Sequence, residues 1–366
     1  MRVGLSRALL GLSVICGIAF LVTLVAGPAW LAARLLAACF LGLALGASTG
    51  QGVLRQLAFT IWIATGVAVG MAFHESFIRF PPWFFGMEDV KLTILFVPIL
   101  QIIMFAMGTT LSVADFTRVF KMPGGVLIGL ACQYTIMPLI GFSLAKGFGF
   151  PPEIAAGVVL VGVSPSGLAS NVMAFIAKAN VAMSVTMTAF ATLLAPLLTP
   201  LLMRTLAGEM ITIDVPAMMW SMTKIVLLPV FAGLVFHHLL FYRFKWLDRV
   251  MPMVSMVGIF VMTVLTVALG HDKLLQIGLL LILACFIHCT AGFSLGYFVC
   301  KLLRMETLTC RTIALEVGLQ NSGMASGLAA SLGKVATLGL APIVFGPVMN
   351  ITAATLSNWW RSHPPR

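Results

Sequence analysis

One acidic residue followed by glycines and amides stands out in the segment Ile313-Ala-Leu-Glu-Val-Gly-Leu-Gln-Asn-Ser-Gly323. Apolar sequence flanks this segment on both sides, so Glu316 lies where a membrane helix is expected. A carboxylate at that depth costs about 2.5–3.5 kcal/mol. The glycines and amides after it weaken the helix and supply neutral oxygens. We therefore expect Glu316 to bind a desolvated cation beside a break in a helix. The alternative is a carboxylate that is protonated or hydrogen-bonded within a helix bundle.

The composition of the chain indicates a membrane protein. Its 366 residues are 60% hydrophobic and only 9% charged, and the mean hydropathy is +1.08. Apolar runs of about 20 residues recur along the chain, which is the length that spans a bilayer as a helix. The predicted fold class is an all-α polytopic membrane protein surrounded by lipid. The net charge of +11 is spread over loops and forms no basic patch, which argues against nucleic acid as a partner.

The apolar runs predict twelve membrane spans joined by short loops. Lys and Arg are concentrated in alternate loops, which predicts a multi-pass protein of the cell inner membrane with both termini in the cytoplasm. The predicted spans are 8–27, 30–48, 53–73, 92–111, 124–146, 154–178, 183–203, 217–240, 252–270, 276–300, 312–332 and 336–360.

The predicted spans form an N-terminal hairpin and a larger unit with internal symmetry. Residues 1–50 form the extra hydrophobic hairpin, residues 51–360 a ten-span unit, and residues 361–366 a cytoplasmic tail. Within the unit, residues 53–203 and 217–360 are two repeats of five spans. Because five is odd, the second repeat enters the membrane in the opposite orientation, as in inverted-repeat transporters. The alternative for the start of the hairpin is a signal peptide.

A second polar interruption occurs inside the predicted span 154–178, at Gly162-Val-Ser-Pro-Ser-Gly-Leu-Ala-Ser-Asn171. Pro165 lacks a backbone donor and clashes with the preceding turn, and the flanking glycines weaken the helix further. This break and the Glu316 segment each fall in the fourth span of a repeat, which is typical of a transporter site. The half-helices would point their N-termini at the membrane midplane. Free N–H groups there favour an anionic substrate.

Polar side chains near the two breaks supply oxygen ligands but only one full charge. Ser184 and Thr188 are four residues apart, so their hydroxyls share a helix face. Gln133 marks a further polar interruption, in the span 124–146. Ca²⁺ sites recruit several carboxylates and soft metals need His or Cys, so this set suits Na⁺. The alternative for any single Ser or Thr is a role in helix packing.

These motifs resemble those of the bile acid:sodium symporter family, in its bacterial form. The resemblance extends from Gly108 to the C-terminal span and is carried by Ser164-Pro-Ser-Gly-Leu-Ala-Ser-Asn171 and Glu316-Val-Gly-Leu-Gln-Asn-Ser-Gly323. It implies panel and core domains, two broken helices that cross, two sodium sites and an adjacent substrate site. Sodium site 1 would consist of Ser170, Asn171, Ser184, Thr188 and Glu316. Sodium site 2 would consist of Gln133, Glu316, Gln320 and the backbone carbonyls of Val317 and Leu319. The substrate-binding residues would be Leu168, Ala169, Asn321 and Ser322.

The first motif departs from the family pattern, which often reads Cys-Cys-Pro-Gly-Gly-Thr-Ala-Ser-Asn. The residues that differ here are Val163, Ser164, Ser166 and Leu168. Leu168 replaces a hydroxyl that faces the substrate in relatives. The resemblance therefore implies sodium coupling but does not assign the substrate.

The predicted function is a sodium-coupled secondary symporter that imports a small organic anion by alternating access. The substrate is left open between a bile acid and a small carboxylate such as pantoate or pyruvate. An ion channel is the alternative from a different class. An enzyme is not expected and no catalytic residue is assigned, because no nucleophile–base pair is apparent. Cys285, His288 and Cys289 share one helical neighbourhood but lack a fourth ligand, so sodium is the only metal predicted. The sequence carries no signal for an oligomeric state.

Overall fold

The computed structural model describes residues 9–19, 29–49, 58–77, 92–240 and 246–363. Within these ranges the secondary structure is helical apart from turns and one isolated β-bridge. The prediction of an all-α polytopic membrane protein is confirmed. The helices are α1 Leu9–Ala19, α2 Ala29–Thr49, α3 Ala58–Ala72, α4 Phe96–Gly108, α5 Val113–Thr117, α6 Pro123–Gly147, α7 Pro152–Gly162, α8 Leu168–Ile176, α9 Val181–Ala207, α10 Val215–Leu239, α11 Leu247–Leu269, α12 His271–Leu302, α13 Thr307–Gly318, α14 Ser322–Ser331 and α15 Leu340–Ser362.

The helices that could cross a bilayer unaided are fewer than the twelve predicted spans. By length and composition, five helices in the described ranges qualify: α6, α9, α10, α12 and α15. A sixth is gained if α4 and the segment Val113–Phe120, bent by 72° at the intervening break, count as one span. Several other predicted spans correspond to shorter apolar helices, among them α7 with 11 residues. Such helices reach across a membrane only in pairs or with flanking residues.

Two helices are broken at the positions predicted from the sequence. The first break separates α7 from α8 and contains Pro165. The second separates α13 from α14, and at this break Leu319 is extended with φ −103° and ψ 105°. The two breaks cross: Ser166 and Gln320 form an antiparallel β-bridge, and the backbone N–H of Asn321 donates to the carbonyl of Pro165 over 2.8 Å. Each break thereby satisfies backbone groups that the other exposes.

The order of helices before residue 208 recurs after it. In both halves a broken helix (α7–α8 or α13–α14) is followed by one long helix, α9 or α15. Asn180 caps α9 by accepting from the N–H of Met183 over 3.0 Å, and Asn321 caps α14 in the same way. The division of the chain into two inverted five-span repeats stays a prediction.

The half-helix α13 lies close against the long helix α12. A Cβ placed at Gly292 of α12 would come within 3.1 Å of the Cα of Gly318. The two glycines let the backbones approach, as small residues do between membrane helices. This contact fixes the end of α13, which is the turn that carries Glu316.

The described parts of the N-terminal region are helical and join the rest of the bundle. Ser13 of α1 donates to the carbonyl of Cys39 of α2 over 2.8 Å. Thr65 of α3 donates to the carbonyl of Phe40 over 3.0 Å. Residues 1–8, 20–28 and 50 of the predicted hairpin, and residues 364–366 of the predicted tail, lie outside the described residues.

Gln133 lies inside an unbroken helix that corresponds to the predicted span 124–146. Helix α6 runs without a break from Pro123 to Gly147 and includes both Gln133 and Pro138. The amide nitrogen of Gln133 is satisfied across the bundle, because it donates to the carbonyl of Ser164 and to the side chain of Gln320. The backbone of α6 therefore does not need to open around it.

Candidate ion and substrate site

Glu316 lies in the last turn of α13 and is fully buried. Its oxygens accept hydrogen bonds from three hydroxyls. Ser166 donates to Oε2 over 2.6 Å, Thr188 donates to Oε2 over 3.0 Å, and Ser184 donates to Oε1. Among the described residues no Lys, Arg or His forms an ion pair with this carboxylate. A buried carboxylate without a counter-charge requires a cation or a proton, because hydroxyls alone do not offset its desolvation.

The five residues predicted for sodium site 1 come together around this carboxylate. Asn171 Oδ1 accepts from the hydroxyl of Ser184 over 2.8 Å, and the hydroxyls of Ser170 and Thr188 are 3.3 Å apart. The Ser184 hydroxyl thus faces two acceptors, Asn171 Oδ1 and Glu316 Oε1, with one proton. Thr188 Oγ1 also lies within hydrogen-bond distance of both acceptors, 3.4 Å from Asn171 Oδ1 and 3.2 Å from Glu316 Oε1. The hydroxyl, amide and carboxylate oxygens therefore surround one small volume, as the ligands of a hard cation do.

The residues predicted for sodium site 2 form a second cluster beside it. Gln133 Nε2 donates to the Ser164 carbonyl over 3.0 Å and to Gln320 Oε1 over 2.8 Å. Gln320 Nε2 in turn donates to the Val317 carbonyl over 2.7 Å. Gln133 Oε1 is buried and has no hydrogen-bond partner. Because Leu319 is extended, its carbonyl does not take part in the hydrogen bonds of a helix. A buried oxygen without a donor beside a freed carbonyl fits a hard monovalent cation.

Ser166 is a contact of Glu316 that the sequence analysis did not assign. It appeared there only as a departure from the family pattern. Its side chain reaches the carboxylate because the first break crosses the second, and the two residues are 150 positions apart in the chain. A local sequence signal was present, since Ser166 lies inside the predicted break, but the direction of its side chain required the crossing.

A cavity of about 300 Å³ adjoins the two breaks. All four predicted substrate residues line it: Leu168, Ala169, Asn321 and Ser322. Most of its wall is apolar, and none of the described residues lining it carries a charge. The cavity lies at the N-termini of α8 and α14. Some first-turn N–H groups donate to cap acceptors, Ser170 to the Gly167 carbonyl and Met324 to Asn321 Oδ1, and such helix ends carry partial positive charge.

Asn321 and Gln320 connect the cavity to the ion cluster. Asn321 Oδ1 is occupied as the cap of α14, accepting from the N–H of Met324 over 2.9 Å. Its Nδ2 is 4.0 Å from the sulfur of Met107, a weak acceptor, and so remains available as a donor. Gln320 lines the cavity and also hydrogen-bonds Gln133 of the second cluster.

Two further polar residues of the cavity were missed by the sequence analysis. Asn350 Nδ2 donates to the carbonyl of Gly346 over 2.8 Å, which leaves its Oδ1 buried without a partner. The hydroxyl of Ser255 is also buried without a partner. Both residues lie on long apolar helices, α15 and α11, where a single Asn or Ser is not distinguishable by sequence from a packing residue.

The Cys285, His288 and Cys289 cluster is engaged in contacts between helices. His288 Nε2 is 3.0 Å from the Met137 carbonyl, and the cysteine thiols contact the Ala341 carbonyl and the Thr352 hydroxyl. In the ranges that the structure describes, no group of three or more His, Cys, Asp or Glu side chains is arranged to hold a metal ion.

Residues 97–277 match the model of the Sodium Bile acid symporter family. A Bacillus subtilis (strain 168) protein named "Uncharacterized sodium-dependent transporter YocS" is 38% identical over 305 residues, which cover 82% of this chain and 90% of that protein. The chain belongs to the sodium bile acid symporter family. The Arabidopsis thaliana "Probable sodium/metabolite cotransporter BASS1, chloroplastic" is 33% identical over 310 residues, which cover 84% of this chain and 74% of that protein. The Oryctolagus cuniculus "Ileal sodium/bile acid cotransporter" is 31% identical over 254 residues, which cover 65% of this chain and 70% of that protein.

Membership of this family confirms the resemblance inferred from the two motifs. The protein is a multi-pass sodium-dependent transporter and not an enzyme. Sodium is its co-substrate, and the family transports small organic substrates.

Proposed function

We propose that this symporter imports a small organic anion together with two sodium ions by alternating access. The observation that carries the proposal is the position of Glu316. It is a buried carboxylate without a counter-charge, surrounded by oxygens, one helical break away from an uncharged cavity. A carrier of this family needs its ion and substrate sites in contact, and the two crossing breaks supply that contact.

The two clusters support two sodium sites. The first would use Ser170, Asn171, Ser184 and Thr188 with Glu316, and the second would use Gln133, Gln320 and the Val317 and Leu319 carbonyls with the same carboxylate. The oxygens clustered around the Glu316 carboxylate would coordinate the first cation, and the unpartnered Gln133 Oε1 provides a lone pair for the second. One carboxylate shared by two Na⁺ leaves a net positive charge beside the cavity, which would favour subsequent anion binding.

The cavity supports a compact anion with an apolar body and at least one hydrogen-bond donor. Its volume of about 300 Å³ is at the lower end of the range for ligand pockets, which favours a small carboxylate over a bile acid. The anionic group would bind the N-termini of α8 and α14 and Asn321 Nδ2. Asn350 Oδ1 can only accept, so a hydroxyl or N–H of the substrate would pair with it.

The coupling would pass through the crossing breaks. Gln320 belongs to the second sodium site and also lines the cavity, and the Asn321 N–H is tied to the Pro165 carbonyl. Cations that neutralise Glu316 would hold both breaks together and order the anion-binding ends of the half-helices. The protein would lie in the inner membrane with both termini in the cytoplasm, as the loop charges predict.

A thermal-shift screen of small organic acids tests the proposal on purified protein in sodium and in potassium buffer. Stabilisation by an acid that requires sodium is expected, because ligands of the folded state stabilise it by mass action. Glu316→Gln should abolish the sodium requirement and the response to sodium alone. The matched control is Glu306→Gln, an exposed acid at the start of the same half-helix, which should behave as wild type. A sodium response that persists in Glu316→Gln would overturn the assignment.

A further inference from the structure

Ser166 places a hydroxyl directly on the carboxylate of Glu316. The side chain is buried, with 1% of its surface exposed, and its Oγ is 2.6 Å from Glu316 Oε2. The Thr188 hydroxyl is 3.5 Å away. Ser166 therefore faces the same volume as the hydroxyls of Ser184 and Thr188, which are proposed as ligands of sodium site 1.

Ser164 lies two residues earlier and shows what a packing serine in this break looks like. It is also buried, but its hydroxyl donates to the carbonyl of Leu160 over 2.7 Å, within the end of α7. That hydrogen bond is the usual way for a serine in a membrane helix to satisfy itself. Ser166 makes no such bond, and its hydrogen bonds go to the ion cluster instead.

The backbone of Ser166 holds this hydroxyl in place. Ser166 pairs with Gln320 in the β-bridge between the two breaks. The carbonyl of the preceding residue, Pro165, accepts from the N–H of Asn321. The following residue, Gly167, lines the cavity. A residue whose own backbone and preceding residue are both paired to the other break loses little conformational entropy when its side chain binds a ligand. The crossing therefore preorganises the Ser166 oxygen toward the carboxylate.

We propose that Ser166 is a further oxygen ligand of the sodium ion held at Glu316, an inference that rests on the proposed sodium site. It would add a sixth oxygen-donating side chain to Ser170, Asn171, Ser184, Thr188 and Glu316. A neutral hydroxyl oxygen is a suitable ligand for a hard cation. The Ser166 hydroxyl belongs to the first break, whereas the Glu316 carboxylate belongs to the second half of the chain. Sodium bound there would join the two crossing segments directly.

Isothermal titration of Na⁺ and of Li⁺ into the purified full-length protein tests this role, with Ser166→Ala, Ser166→Cys and Ser164→Ala as the variants. Both Ser166 variants should bind Na⁺ roughly tenfold more weakly, as expected for one lost contact to a charged group. Ser166→Cys keeps the volume and a weak donor but replaces the oxygen with sulfur, a poor ligand for a hard cation. Loss of one oxygen should also shift the ratio of Na⁺ to Li⁺ affinity toward Li⁺, the smaller ion, which needs fewer ligands.

Three results would overturn the inference. They are Na⁺ affinity within twofold of wild type in the Ser166 variants, an equal loss in Ser164→Ala, and a parallel fall of Na⁺ and Li⁺ affinity. A parallel fall would mean that Ser166 only supports the structure of the break. Glu316→Gln distinguishes this inference from the proposed function. If Glu316→Gln abolishes Na⁺ binding while the Ser166 variants leave it unchanged, the sodium site stands and only the role of Ser166 is wrong.

Discussion

At the scale of single residues, one oxygen of the two ion clusters has no hydrogen-bond donor. This oxygen is Gln133 Oε1, which is buried without a partner. An unsatisfied buried acceptor costs about 1–3 kcal/mol. A site that tolerates this cost without its ion gains affinity when the ion binds, because the ion then satisfies the same oxygen.

Gln133→Ala should weaken sodium binding by roughly tenfold while changing substrate preference little. The substitution removes the unpartnered oxygen and also the two buried hydrogen bonds from the amide to the Ser164 carbonyl and to Gln320 Oε1, so a loss of stability in sodium-free buffer is expected as well. Isothermal titration of Na⁺ measures the effect, and Gln320→Ala should behave similarly. The control is Ser143→Ala, an exposed hydroxyl farther along the same helix. An unchanged sodium affinity with an altered substrate range would assign Gln133 to the anion cavity instead.

Leu168→Thr should shift substrate preference toward small hydroxylated acids by about tenfold or less, as one hydrogen bond of roughly 0.5–1.5 kcal/mol allows. Leu168 is the first residue of α8 and lines the cavity, so a hydroxyl there can reach the substrate. Competition between a small hydroxy acid and a bulkier amphipathic anion measures the shift. Val172→Thr, one turn along and also in the cavity wall, is the control for added polarity. An unchanged ratio in Leu168→Thr would mean that position 168 does not contact the substrate.

At the scale of helices, an ion pair joins the outer ends of the two broken helices. Glu153 at the start of α7 forms an ion pair with Lys334, which follows α14. The hydrogen bond from Lys334 holds the pKa of the Glu153 carboxyl below its ordinary value. Both side chains are about one-third exposed, so solvent screening limits the pair to less than about 1 kcal/mol.

Lys334→Met should lower the thermal stability slightly at neutral pH and have no effect in acid. A carboxyl whose folded-state pKa is lowered contributes stability above its ordinary pKa, and this contribution is lost as the pH falls through the lowered value. Unfolding curves of detergent-solubilised protein at pH 7 and below about pH 4 measure the difference. Lys146→Met is the control, because its contact with Glu209 is longer, 3.4 Å, and more exposed. A destabilisation that is independent of pH would show that Lys334 acts through packing.

At the scale of the whole molecule, the loop charges and the repeated helix order together predict the topology. A fluorescent protein fused after residue 366 should fold and fluoresce, because the C-terminus is predicted in the cytoplasm. An alkaline phosphatase fused at the same place should be inactive. The control fusions follow Lys146, at the end of α6. There the fluorescent protein should not fluoresce and the alkaline phosphatase should be active, because this end is predicted on the opposite side of the membrane. Active phosphatase at the C-terminus would reverse the predicted orientation.

The sequence alone determined the class of the protein and the position of both breaks. Long apolar runs and the helix-breaking chemistry of Pro165 are local properties, so they can be read from neighbouring residues. The Glu316 segment was recognisable for the same reason, since a carboxylate in apolar sequence is costly wherever the chain goes. Family membership followed from these motifs and is confirmed by the relatives.

Only the tertiary structure decided which atoms meet. Ser166 contacts Glu316 because two breaks that are 150 residues apart cross and pair. The amide nitrogen of Gln133 finds its acceptors, the Ser164 carbonyl and Gln320 Oε1, in the two breaks, which only the assembled bundle brings next to α6. Whether Asn350 packs or faces a cavity depends on which helices surround it. Hydrogen-bond satisfaction inside a membrane is a property of the assembled bundle, because no water is present to satisfy each segment by itself.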